Sequence, residues 1–292
     1  MKRSLRFVIV PKVDHPWYDE VNQGAQEQAS LLSRELGREL TIDFLPPVVA
    51  DIAEQNAVLE QAVQSRPDGI AVDPVDTIGH LSAIDLIRAQ SIPVVLFDSP
   101  SPSARISGVG NNYSEQGRIA AERLVDRMGH VGKVAVMQGV PSAPNHKERY
   151  EAQLAVLRRY PSIILVDGGS DRDDIAIAQN EASRVLAAHP DLKGYLCCDA
   201  SGPVGIAAAI KEAGKVGMVT VVSMDGIKPI LEAIKEGIID SSSATIPRMQ
   251  GSMAILMLWQ ATLGMPLPQA IDTGIDLITQ ENVDRFLSRS DL

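Results

Sequence analysis

Four short apolar runs in this chain each end in an aspartate. They are GIAVD (residues 69–73), PVVLFD (93–98), GYLCCD (194–199) and TVVSMD (220–225). Each reads as a buried strand followed by turn residues and a helical pattern. In an open α/β sheet, ligands gather at the carboxyl ends of the strands. Carboxylates placed there would assemble a site rich in hydrogen-bond acceptors, which suits a polyhydroxylated ligand better than an anion.

Other motifs are weak or absent. Gly108-Val109-Gly110 is a fragment of a dinucleotide-binding loop with Tyr113 at the third glycine position, and it reads as a turn between lobes. The sequence contains no phosphate-cradling G-x-x-x-x-G-K-[ST] and no G-x-S-x-G nucleophile elbow. Asp171-Arg172-Asp173-Asp174 lacks the length and the terminal Glu of a calcium loop, so it reads as a helix cap and dipole partner. The five histidines have no metal-ligand spacing. No nucleophile is paired with a base by any local motif. The expectation is a binding protein rather than an enzyme, with no catalytic residues, metal or cofactor. The only cysteines, Cys197 and Cys198, are adjacent in an apolar run and read as buried packing residues.

Strand-like runs alternate with helical patterns to position these residues. In the first half the strands fall at residues 5–10, 40–45, 69–73 and 93–98, with helices near 17–36, 51–64 and 81–89. A second set has strands at 133–137, 163–167, 194–199 and 220–225, with helices near 146–159, 175–188, 204–213 and 227–235. Such alternation implies parallel sheets with right-handed crossovers. The pattern resets in the Gly/Asn/Ser-rich stretch 107–114, read as a passage between two lobes. The tail differs: 238–247 is extended, 249–263 helical and 271–278 extended again. The expected fold class is α/β, with two doubly wound parallel-sheet lobes joined by a multi-strand hinge. Residues 1–110 and 247–276 would form the first lobe, and 111–246 and 277–292 the second, with a ligand cleft between them.

Composition narrows the partners. The 292 residues are 45% hydrophobic and 22% charged, with a net charge of −10. An acidic chain without a basic block argues against nucleic acid and against an anionic membrane surface. No apolar run has the length of a membrane span. Residues 5–10 are too short for the core of a signal peptide, so the chain is expected to be either cytoplasmic or the part that follows a removed leader.

Taken in order, several segments resemble the type I periplasmic sugar-binding proteins, most of all the ribose-binding branch, which shares its fold with the effector domains of lactose-repressor-type regulators. They are His15-Pro16-Trp17-Tyr18, Gly24-Ala25-Gln26-Glu27, Val94-Val95-Leu96-Phe97-Asp98, Gln138-Gly139 with Glu148-Arg149, Ala188-His189-Pro190-Asp191, and Val221-Val222-Ser223-Met224-Asp225-Gly226. The resemblance covers nearly the whole chain. It implies a monomeric, extracytoplasmic solute-binding protein that closes over a small sugar or polyol in the interlobe cleft. The closed form would then be delivered to an ABC permease or a membrane sensor.

Carried over by residue, the resemblance makes Asp98 and Asp225 carboxylate contacts and Arg149 a bidentate donor. Trp17 and Tyr18 become the first-lobe aromatics, and His15 a polar contact. Asp199 stands in place of a usual asparagine, and Thr245 in place of a usual glutamine. Ser99 replaces a usual arginine, and Arg172 stands near the second aromatic position. These departures argue against ribose itself. Lys12, in Val10-Pro11-Lys12, resembles the lysine contact of the autoinducer-2 receptors. A signal receptor of that kind is therefore the first alternative. The ligand-sensing domain of a transcription regulator is the second, and a sugar-acting enzyme using Asp199 beside Asp225 is the third.

Overall fold

The computed structural model describes residues 3–76, 78–99 and 106–290. The first elements are β1 (Leu5–Val10), α1 (Pro16–Leu36), β2 (Leu40–Phe44), α2 (Ile52–Gln64), β3 (Gly69–Val72), α3 (Leu81–Ala89), β4 (Val94–Phe97) and β5 (Ser107–Gly110). There follow α4 (Tyr113–Met128), β6 (Gly132–Gln138), α5 (Pro144–Leu157), β7 (Ile163–Ser170), α6 (Ile175–Ala188), β8 (Leu192–Leu196), α7 (Ser201–Glu212), β9 (Thr220–Met224), α8 (Lys228–Lys235) and β10 (Ser241–Ala244). The chain ends with α9 (Pro247–Thr262), β11 (Ala270–Asp272), β12 (Asp276–Thr279) and α10 (Val283–Ser290).

These elements divide into two compact units. One holds the chain up to Asn111 together with Ile246–Thr273, and the other holds Asn112–Thr245 and the chain from Gly274 onward. The first unit has a six-stranded sheet of order β11-β5-β4-β3-β1-β2, and the second a six-stranded sheet of order β12-β10-β9-β8-β6-β7. Every pairing in the first sheet is parallel. The second is parallel except at its edge, where β12 runs antiparallel to β10.

The strands are buried because helices cover both faces of a parallel sheet, so they read as continuous apolar runs. All four residues of β3 are buried, and in β4 all but Val94. In the first unit, Val8, Val10, Ile70, Val72 and Leu96 pack with Leu59 of α2 and with Ile84 and Ile87 of α3. In the second, Val134, Val136, Leu196, Val222 and Met224 pack with Leu124 and Val125 of α4 and with Val156 and Leu157 of α5.

Helix α1 shows how local sequence sets an element. His15, in an extended conformation, caps it by accepting the Trp17 amide on Nδ1 (3.1 Å), and Pro16 occupies its first turn. Gly37 ends it in the left-handed conformation (φ 57°). The return of α9 to α1 is equally specific. Gly24 faces the Arg248 carbonyl and Gly251 faces the Val21 carbonyl, both too closely for a Cβ.

Two tail and linker readings are corrected. Residues 107–110, expected in a turn between lobes, form β5 and pair with β4 on one side and β11 on the other. Two glycines and a serine hid the strand, because they carry no apolar pattern. The single extended run expected over 271–278 splits at Gly274 (φ 85°) into β11 of the first sheet and β12 of the second. Among the described residues, no helix is long and apolar enough to cross a membrane.

Candidate functional site

The strand order of the first sheet reverses between β3 and β1, and ligands of doubly wound folds bind at such a switch point. Lys12 lies two residues beyond β1 and Asp73 directly follows β3. Their side chains form a fully buried ion pair, with Nζ 3.2 Å from Oδ2, and Lys12 Nζ is 3.9 Å from Asp98. Asp73 also accepts a hydrogen bond from Tyr18 Oη (2.6 Å) and one from Ser99 Oγ. Burial pushes the Asp73 carboxyl up from its ordinary value, while Lys12, Ser99 and Tyr18 pull it back down.

The aromatics stack edge-on behind this pair. Trp17 meets Tyr18 at a centroid distance of 5.0 Å, and Tyr18 meets Phe97 at 6.2 Å. Asp98, immediately after β4, adopts the left-handed conformation at φ 52°. A non-glycine residue there is uncommon, and Asp is among the few that tolerate it. It lets the chain turn sharply at the strand end.

The second unit repeats this arrangement. Its strand order reverses between β8 and β6. Asp225, immediately after β9, again has a positive φ, of 62°. Its Oδ1 accepts from the Thr245 amide (3.3 Å) and from the Thr245 hydroxyl. Arg149, on α5, is 2% exposed. Its Nε donates to Gln116 Oε1 (2.7 Å), its Nη1 donates to the Cys198 carbonyl (3.2 Å), and its guanidinium lies 4.9 Å from the Tyr113 ring centroid. Gln116 is itself anchored, donating to the Ser243 carbonyl (2.8 Å). Asp199, three residues past β8, accepts the Gly202 amide on Oδ1 (2.9 Å) at the start of α7. Gly139, after β6, has no room for a Cβ because Asp199 and His146 occupy that space.

The nine candidate residues therefore fall into two groups, one in each unit. Lys12, His15, Trp17, Tyr18 and Asp98 belong to the first, and Arg149, Asp199, Asp225 and Thr245 to the second. All nine are buried. Within its unit Lys12 serves Asp73, and His15 Nδ1 serves the helix cap.

Sequence reasoning did not carry Asp73 into the site, although it ends a strand as Asp98 does. It also missed Gln116 and His146, for which no local pattern gave a signal. His146, Asp173 and Asp199 bring potential ligand atoms within 4.8 Å of one another. However, His146 Nδ1 is committed to the Val140 amide (3.0 Å) and Asp199 Oδ1 to the Gly202 amide. That is a hydrogen-bonding arrangement rather than a ligand set. Cys197 and Cys198 are free and buried, and burial pushes both thiols well above their ordinary value. Neutral thiols of this kind are poor nucleophiles.

Two doubly wound units, each with an aspartate in the left-handed conformation directly after one of its strands, narrow the fold family. The sequence matches the family described as "Periplasmic binding protein domain" over residues 7–265. The chain belongs to the periplasmic binding protein family. Within this family it is 22% identical over 275 residues to the ribose import binding protein of Bacillus subtilis, covering 93% of this chain and 86% of that one. An ABC transporter solute-binding protein from Agrobacterium vitis with bound D-fucose superposes at a TM-score of 0.90, with 25% identity, over 98% of this chain and 99% of that one. A second, from Burkholderia graminis in complex with D-arabinose, superposes at 0.89 with 25% identity, over 97% of each chain.

Proposed function

We propose that this chain is the extracytoplasmic solute-binding protein of an ABC importer. It takes a small sugar or polyol with the strand-end groups of its two units and closes over it for delivery to a membrane permease. The observation that carries the reading is that both units hold buried carboxylates at the carboxyl ends of strands beside the reversal in strand order. Family membership supports it, as do relatives that are sugar-binding proteins rather than signal receptors or enzymes.

The chemistry follows from donors and acceptors. Sugar hydroxyls both donate and accept, so Asp98, Asp199 and Asp225 receive hydroxyl protons. Arg149 donates to hydroxyl oxygens from a guanidinium already held in place by Gln116. Trp17 and Tyr18 offer apolar faces to the C–H side of a ring. Lys12, His15 and Thr245 complete the two groups by fixing Asp73, the start of α1 and Asp225. The protein acts as a monomer, performs no catalysis and has no nucleic acid partner. Closure follows from differential affinity: a ligand that engages both groups favours the form in which both reach it.

Thermal unfolding against pentoses, hexoses, deoxysugars, polyols and autoinducer-2 tests this. A ligand that binds only the native state adds RT ln(1 + [L]/Kd), about 2.7 kcal/mol at a hundredfold excess over Kd. A shift with one subset of sugars or polyols is expected. A shift with autoinducer-2 alone, or none with any compound, overturns the reading.

A further inference from the structure

The second unit holds a cavity of about 400 Å³ that the sugar reading does not use. It opens at the amino ends of β9 and β10. Arg123 and Arg127 of α4 line it, with Asp240 just before β10 and the turns at Gly217, Gly237 and Glu281. Thr220, the first residue of β9, also lines it, whereas Asp225 follows the last. The length of that strand, about 16 Å at about 3.3 Å per residue, separates the two. The cavity therefore lies at the opposite edge of the sheet from the strand-end groups. Its volume is that of a small-molecule site.

The two arginines are held without being used up. Arg123 donates Nε to Asp240 Oδ1 (3.1 Å) and to Ser241 Oγ (3.3 Å), and Arg127 donates Nε to Asp240 Oδ2 (2.7 Å). The strongest pairing of a guanidinium with a carboxylate is a fork of two parallel N–H···O bonds. Neither arginine makes it. Each gives one Nε to one carboxylate oxygen, and the Nη nitrogens of both have no acceptor among the described residues. Asp240 is fixed in turn: its amide donates to the Val221 carbonyl (2.9 Å), and Oδ1 also accepts from the Ser241 hydroxyl (3.0 Å). Asp240 is mostly buried, while Arg127 is half-exposed. Two guanidiniums on one carboxylate leave a positive charge over, in a chain whose net charge is −10. The remaining charged group in the lining is Glu281, which is exposed and has no ion pair among the described residues.

We propose that this cavity is a second ligand site, for a small molecule bearing a carboxylate or phosphate group. The oxyanion accepts hydrogen bonds from the spare Nη nitrogens of Arg123 and Arg127, whose planar forks match its geometry. Asp240 holds both side chains in place beforehand, so less rotamer freedom is lost on binding. Gly217 and Gly237, both at positive φ, bring bare backbone to the wall. Glu281 repels a second anionic group and accepts from a hydroxyl, so the ligand carries one oxyanion with hydroxyl groups beside it. The proposal does not rest on the sugar reading, because the site shares no residue with the sugar groups.

The test is an amide NMR titration of the whole chain with inorganic phosphate, glycerol 3-phosphate and L-lactate at constant ionic strength. Saturable shifts of the Gly217 and Gly237 amides are expected with at least one of the three. Shifts with the phosphates alone, or with lactate alone, say which oxyanion the site takes. R127Q removes one fork but leaves Asp240 its bonds from Arg123 and Ser241, so the variant should fold. It should weaken binding about tenfold or more, as the loss of a charge-assisted hydrogen bond implies. E281Q should tighten phosphate binding by removing the repulsion. The proposal is overturned if none of the three probes moves the two glycines, if R127Q binds as wild type does, or if the saturable shifts fall on Asp98 and Asp225 instead. Thermal unfolding guards against a general salt effect: a gain in melting temperature equal in wild type and R127Q is exclusion of phosphate from the surface, and it too overturns the site.

Discussion

Lys12 shows how a single residue takes its meaning from its neighbours. A lysine with no exposed side chain costs several kcal/mol in desolvation unless paired, and here it is paired with Asp73, which is equally buried. Lys12→Met would keep the apolar stem and leave the Asp73 carboxylate without its cation. The expected loss is about 3–5 kcal/mol at neutral pH, read by urea unfolding. The sign with pH follows from burial, which holds Asp73 above 3.8 when folded. Its unfavourable contribution therefore grows as pH rises from that value, and removing Lys12 pushes the folded value further up. The variant's deficit should shrink as pH approaches about 4. A deficit equal at both pH values would mean that packing, not charge, is what Lys12 supplies. Asp98 and Asp225 make a related point: each was legible as a strand-end acceptor, but the left-handed turn that both adopt was not.

At the scale of elements, glycines decide how closely helices approach, and closeness decides where the Arg149 guanidinium stands. Gly117 of α4 faces the Arg149 carbonyl of α5 with no room for a Cβ. Gln116, its neighbour in sequence, holds the Arg149 guanidinium. Gly117→Ala should push α5 outward and loosen that hydrogen bond. It should destabilise the protein by about 1–3 kcal/mol through overpacking and weaken sugar binding beyond what the loss of stability explains. Calorimetric titration beside a denaturation curve separates the two effects, and unchanged affinity would show that Arg149 does not depend on this contact. The strand at 107–110 belongs to this scale too. Its pattern of Ser, Gly, Val and Gly carries no strand signal, and only pairing with β4 and β11 makes it one.

For the whole molecule, the chain passes between its two units at three places: before Asn112, after Thr245 and after Thr273. Hinges of binding proteins absorb backbone rotation at a few such residues. The sugar selected by thermal unfolding should therefore lower the radius of gyration measured by solution scattering, with no change in mass. Binding with an unchanged radius would show that the units need no rearrangement to hold ligand. The acidic charge of −10 is a property of the same scale. It bears on solubility and partner class, not on fold.

By itself the sequence determined the alternation of strands and helices, the two-unit α/β plan, and the aspartates at the strand ends. These are local: apolar runs, helical periodicity and turn residues express themselves within a few positions of the chain. It also carried the order of segments on which the family resemblance rests. The tertiary structure alone decided which distant groups meet. Asp73 finds Lys12 across the switch point of one sheet, and Gln116 finds Arg149 between two helices. It also split one extended tail run between two sheets. The protonation of a carboxyl belongs to the same class. Asp171 reads as part of a helix-capping run in sequence, and only packing buries it, so that desolvation first and the neighbouring Asp199 second push its carboxyl above the ordinary value; both come from the packed structure and not from the chain.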